Sequence, residues 1–332
     1  MDINQTDILG WSRILALTLG MGVAAWMDHK ERRVANEHWI DWVKPALFLW
    51  TLDLMNQGAD LTIYLTASAV VAYASGAVLG RPSWSDLRAG SRMDLFVTMW
   101  YLVSIVGVVM GAIQYQSTSP LDVMLGNDTT LGALWWKTFA VFFVILIIDL
   151  AWRFRLLHGG ADAKALMWVA LLFPDWSTVP LNLSDATSTA LVALPPSLAL
   201  LMWGGLSFLA IPFILLARNA IKGNIGSLSE VRLAWHASKI ERKEVLNRHV
   251  WLLTTLIEMP DGSTKVQHRT RAPRQTPSKE ALEAAVQELA DAGVESVWVS
   301  SKLPLLVFLF PAIIPLVLLG DPMVLIMPLL GL

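Results

Sequence analysis

The chain has 332 residues, 55% hydrophobic and 16% charged, with a mean hydropathy of +0.53. Soluble domains carry about 25% charged residues, so this composition points to a polytopic α-helical membrane protein. A formal net charge of −2 gives no basis for nucleic-acid binding, and the absence of cysteine excludes disulfides, a thiol nucleophile and Cys-ligated zinc or iron–sulfur sites.

The opening residues, "MDINQTDILGW", lack the positive n-region of a cleavable signal peptide and are read as mature protein. Apolar runs then predict eight spans, at 9–27, 42–56, 60–79, 94–115, 131–152, 163–175, 189–217 and 303–319. The second and sixth are short, open to tilt, a kink or a partly re-entrant path. The stretch after Gly320, which holds Pro322 and Pro328, either ends the eighth span or folds back beneath it.

Basic residues set the expected orientation. Lys30, Arg32, Arg33, Arg81, Arg88, Arg92, Arg153 and Arg155 fall in alternate connections, and the intervening connections at 57–59, 116–130 and 176–188 hold none. Of 25 Lys and Arg, only Arg13 and Lys137 lie outside the inner side of this arrangement. The positive-inside rule therefore puts the basic connections in the cytoplasm and the N-terminus outside, in a multi-pass cell-membrane protein. Trp11, Trp26, Trp42, Trp135, Trp136 and Trp176 sit near span ends, as an interfacial belt requires.

The chain divides into a membrane domain over 1–217, a cytoplasmic module over 218–302 and a C-terminal membrane segment over 303–332. In the module, "HVWLLTTLIEM" reads as a strand, "PDG" as a turn and "STKVQHRTR" as the returning strand. "SKEALEAAVQELADAG" reads as a helix ending at Gly293, and "VESVWVSS" as a further strand, giving a small α+β unit of β-β-α-β form. Two residues compete to cap that helix. Ser278 lacks a capping-box partner at Ala281, so Thr276 is preferred, with Pro277 at the first helical position.

Four spans separate "WMDHKERRVANEHW" at 26–39 from "HGGAD" at 158–162. An even number of crossings returns the chain to the same face, so Asp28, closing the first span, and Asp162, opening the sixth, are predicted at matching depth. Two carboxylates brought within a few ångströms cannot both ionise easily; they share a proton and their apparent pKa values split. The ionised member can take a proton from water while the other donates to a carbonyl oxygen, which is aspartic-protease chemistry without metal or cofactor. Gly159 and Gly160 leave room for a close approach of backbone.

These motifs resemble those of a known family. "MDHKERRVANEHW" is similar to the segment after the first span of archaeal prepilin and preflagellin peptidases, and "GGADAKAL" resembles their Gly-x-Gly-Asp box with its following Lys. Together with the topology, the resemblance covers most of 9–217. It implies a membrane aspartic endopeptidase that cuts the leader from pilin-like or archaellin-like precursors at the cytoplasmic face. It implies Asp28 and Asp162 as the catalytic dyad, with Gly159 and Gly160 in the glycine box. Lys164 and Asn36 are carried over as support for substrate or active site, and Trp39 completes the first motif. Ala161 departs from the pattern, which has glycine before the aspartate. Bacterial relatives add a cysteine-rich zinc loop and an N-methylation activity; with no cysteine, peptidase activity alone is expected here, with no cofactor and no metal.

Other polar residues have plainer readings. Lys164 reads first as a positive-inside residue, and Asn36 and Trp39 equally as an interface anchor. Asp149, inside the fifth span, reads as a helix-packing hydrogen bond or as a third acid near the dyad, and Asp53 as packing. His158 reads as an interfacial loop residue. The run "KVQHRTRAPRQTPSK" reads as a solvated loop, with contact to anionic headgroups of the membrane lipid as the second choice. Two other function classes compete with the peptidase: a proton-coupled transporter relaying through Asp53 and Asp149, and a non-catalytic scaffold whose 218–302 module binds a partner.

Overall fold

The computed structural model describes residues 5–157, 159–180, 193–260, 263–271, 273 and 277–327. The chain is mostly helical and falls into two compact units, Met1–Gly205 with Pro304–Leu332, and Leu206–Leu303. The second unit thus begins earlier than residue 218, taking in part of the apolar run at 189–217.

The first unit contains α1 (Gln5–Glu31), α2 (Asn36–Asn56), α3 (Leu61–Ser75), the short α4 (Trp84–Arg88), α5 (Arg92–Gln114), the short α6 (Pro120–Met124), α7 (Leu131–Arg153), α8 (Gly160–Leu172) and α9 (Pro196–Leu209). At its centre is α8, whose side chains from Ala165 to Leu172 are all buried, with α1, α2 and α7 packed around it. An all-round apolar helix buried in this way has no solvent stripe to show, which explains why its sequence carries no amphipathic pattern. By contrast α5 is peripheral, with Met93, Phe96, Val103 and Met110 exposed. It meets α3 closely because Gly107 has no side chain: a Cβ there would stand 2.2 Å from Cβ of Leu65.

Among the described residues, four helical stretches are long and apolar enough to cross a membrane: Ile8–Glu31, Arg92–Gln114, Leu131–Arg153 and Pro196–Ile221. The other four expected spans have different forms. Helix α2 is 21 residues long but carries Glu37, Asp41, Lys44 and Asp53. Helices α3 and α8 have 15 and 13 residues, short of the about 20 that a full crossing takes. The expected 303–319 span is broken into two short helices, Leu306–Leu309 and Ile313–Leu319.

The second unit begins in the last turn of α9 and continues with α10 (Ile211–Ile221), α11 (Leu228–Ala234), β1 (Ser238–Glu241), β2 (Val250–Leu252), β3 (Thr254–Glu258), β4 (Thr264–His268), α12 (Lys279–Asp291) and β5 (Ser296–Ser301). The expected β-β-α-β order is embedded in a larger arrangement. "HVWLLTTLIEM" is two strands, split at Leu253. Of these, β3 pairs antiparallel with β4, with Leu256 opposite Val266, while β2 and the unexpected β1 flank β5 in a separate three-stranded sheet. Leu253 is fully buried and its N–H donates to the Trp298 carbonyl, so the strand bends where an apolar side chain anchors it. Ser278, not Thr276, caps α12, its hydroxyl accepting from the Ala281 N–H at 3.2 Å. A hydroxyl one residue before the helix suffices without a capping-box partner; Thr276 lies outside the described residues, as do Asp261 and Gly262 of the expected turn.

The chain then returns to the first unit through α13 (Leu306–Leu309), α14 (Ile313–Leu319) and α15 (Pro322–Ile326). Gly320, at φ 74°, ends α14 in the left-handed region. The buried Asp321 carboxylate then caps α15, accepting from Met323 N–H at 3.0 Å and from Leu194 N–H at 2.7 Å. The last apolar stretch therefore starts a separate helix and does not prolong the eighth expected span; Pro328 lies outside the described residues.

Candidate active site at one end of the helical unit

The C-terminal end of α1, the start of α2, the end of α3, the end of α7 and the start of α8 converge at one end of the first unit. Asp28 lies in the last turn of α1 and is buried. The helix stops four residues on, where Arg32 takes φ 58° and its N–H still reaches the Asp28 carbonyl at 3.1 Å. A left-handed conformation at a non-glycine residue is unusual and stores strain. It turns the chain back within three residues, so that α2 begins at Asn36 beside the end from which it came. Burial raises the Asp28 carboxyl above the ordinary carboxylate value, with Arg32 and then His29 acting against that rise.

Asp162 is three residues past Gly159, the cap residue of α8. Its carboxylate folds back over that glycine and takes a hydrogen bond from the Gly159 backbone N–H. A Cβ on Gly159 would stand 2.2 Å from Oδ2 of Asp162, so the glycine is required by the position of the carboxylate itself. Gly160 serves a different contact, since a Cβ there would meet the Trp152 ring of α7 at 3.1 Å.

Asp28 is near enough to Asp162 for its negative charge to act on it, and Asp162 precedes the apolar part of its helix. Burial, with the negative charge of Asp28 second, pushes the Asp162 carboxyl up to about 7, against the lowering effect of the Gly159 hydrogen bond. Two carboxyls near enough to interact can hold one proton between them. One member can act as acid while the other acts as base, which is the requirement for metal-free hydrolysis of an amide.

The other expected residues divide between two contacts. Lys164 donates to Asn36 Oδ1 at 2.7 Å, and Asn36 Nδ2 donates to the Val78 carbonyl at 3.2 Å, so the start of α2, the end of α3 and α8 are joined. Asp162 and Lys164, two residues apart on α8, are about 200° apart around its axis, so they face opposite ways. Trp39 is buried, 2% exposed, with its ring 6.2 Å from that of Trp168. Ala161 packs, partly buried, against the main core. His158 lies outside the described residues.

Asp149 resolves as a structural group. Tyr73, Arg81 and Arg153 all donate to its Oδ2, at 2.8, 2.8 and 2.9 Å. Asp53 is paired with Arg13 at 3.2 Å, and Arg13 is only 1% exposed. Arg32 is the contributor that sequence reasoning missed: it was counted only as a cytoplasmic charge, although its spacing of four from Asp28 on a helix end was visible.

No protein-family model matches this chain, and neither does any curated protein. The site therefore rests on its own geometry and on the two short motifs.

Proposed function

We propose that the chain is a membrane aspartic endopeptidase of the leader-peptidase kind, with Asp28 and Asp162 as a proton-sharing dyad. The observation that carries this reading is the meeting of the two carboxylates at one end of the helical unit, with Asp162 holding its proton up to about 7. In the reaction, ionised Asp28 takes a proton from water as the oxygen attacks the scissile carbonyl, and protonated Asp162 donates to the carbonyl oxygen. Collapse of the tetrahedral intermediate then expels the amine, which takes the proton held by Asp28, while one hydroxyl of the intermediate returns its proton to Asp162 and restores the starting dyad. Substrates would be pilin-like or archaellin-like precursors, cut where their leader meets their hydrophobic helix. This reading includes eight membrane crossings, with the dyad and the second unit at the cytoplasmic side and the N-terminus outside.

The partners of Asp53 and Asp149 weigh against the transporter reading. Each acid is held by arginine, and a proton relay needs groups that can change charge. The test is co-expression with a pilin-like precursor. Wild type should release the leader, while Asp28→Asn and Asp162→Asn, expressed at normal level, should leave the precursor whole. Cleavage by either variant would discard the proposal.

A further inference from the structure

A second feature of the same unit goes beyond peptide hydrolysis and does not depend on it. A cleft of about 210 Å3 lies between α2, α3 and α8, with Trp100 of α5 at its margin. Its walls are apolar: Val43, Leu47, Val71, Met167, Trp168 and Leu171 all contribute. On α8 the lining runs from Lys164 to Leu171, about 10 Å of helix. Ile40 and Leu79, at its rim, are 37% and 56% exposed, so the cleft opens towards the surroundings.

One cation stands at the lip of this apolar slot. The Lys164 ammonium has three N–H donors, of which Asn36 takes one. Among the described residues, Lys164 forms no ion pair, its ammonium lying over the Trp152 ring at 6.0 Å, whereas Lys44 is paired with Asp41 at 2.7 Å. A charged group beside apolar walls without a counter-charge is costly. It needs an anion that brings hydrocarbon with it.

A polypeptide substrate does not meet this description. The α8 face that lines the cleft is turned about 170° from Asp162, so a chain lying in the cleft would be behind the dyad. We propose that the cleft is a binding site for an anionic phospholipid, with the headgroup phosphate on Lys164 and one hydrocarbon chain along Met167, Trp168 and Leu171.

Native mass spectrometry of the full-length protein in mixed detergent and lipid tests this. The probes are phosphatidylglycerol and phosphatidylcholine, with wild type and the variants Lys164→Gln, Ala74→Phe and Lys44→Gln. Wild type should retain one tightly held phosphatidylglycerol, preferred over phosphatidylcholine by about fivefold, the effect of one basic side chain at a headgroup. Lys164→Gln should lose the preference while still holding lipid. Ala74→Phe, which fills the cleft from α3, should lose the tightly held lipid of either kind. Lys44→Gln should behave as wild type. The proposal is overturned if Lys164→Gln keeps the preference, if Ala74→Phe retains the lipid, or if Lys44→Gln weakens the preference as much as Lys164→Gln does.

Discussion

Asp149 and Asp162 lie at the same end of the helical unit, on helices that pack against each other, and they have opposite surroundings. Asp149 has three donors on one oxygen, two of them guanidinium groups. Asp162 has one backbone N–H and faces another carboxylate. The first environment fixes a charge and ties α3, α7 and the segment around Arg81 together. The second makes a proton easy to hold and easy to give up. Under the proposed function, an acid at this end is structural or reactive according to its neighbours.

The sharpest way to break this contrast is to remove one carboxylate from each environment. Asp28→Asn or Asp162→Asn should lower precursor cleavage by about 1000-fold or more, because acid and base act as a unit. In these variants the fold should persist, as read by elution volume and circular dichroism. Asp149→Ala should have the opposite profile. It leaves Arg81, Arg153 and Tyr73 without their shared acceptor, and should cost about 2 kcal/mol of stability in denaturant titration, since both arginines are half exposed and the loss is that of hydrogen bonds to a charged group. Its residual cleavage should follow the folded fraction.

A smaller effect is expected at the glycine beneath Asp162. Gly159→Ala places a methyl group where Oδ2 now lies, so the carboxylate must swing away. Cleavage should fall about a hundredfold, the cost expected for misplacing a catalytic group by about 1 Å, and its pH profile should change with it. Gly160→Ala, which meets Trp152 instead, should leave the pH profile unchanged.

The pH dependence sharpens the same comparison. Asp162 is the acid only while it holds its proton, so cleavage should decline as pH rises above about 7. The sign for stability follows from the same shift. A carboxyl whose folded pKa is raised from 3.8 to about 7 binds its proton more tightly in the folded state. Its contribution is fully present below the unfolded value and is lost as pH climbs through the folded one. Asp162→Asn should therefore melt slightly above wild type at about pH 8, and the gap should close at about pH 4. A gap that widens in acid would reverse the assignment.

How far the sequence reached can be argued from particular residues. Asp28 and Asp162 could be placed at one end because Lys and Arg positions fixed the parity of the crossings without reference to the acids. The partners of Asp149 could not be read, because Tyr73 and Arg81 come from a different helix and from the segment beyond it. Asn36 and Lys164 were singled out separately, and only the fold shows that they touch each other and turn away from the dyad. A helical wheel would have given the second half of that result, since residues 162 and 164 face opposite ways. In the second unit, β1 was missed because "SKIE" has one apolar residue and becomes a strand only by pairing with β5. The start of α12 was misplaced because the capping-box rule was treated as necessary, when a lone serine hydroxyl was enough.

The proposed sharing of a proton between Asp28 and Asp162 can be tested directly. Difference infrared spectroscopy across a pH titration, with Asp162→Asn to assign the signal, would follow the Asp162 carboxyl band in wild type and in Asp28→Asn. The account predicts a band that titrates near 7 in wild type and moves lower, though not to the ordinary carboxylate range, once the Asp28 charge is gone. A band that titrates in the ordinary range, or one indifferent to Asp28, would contradict the shared proton.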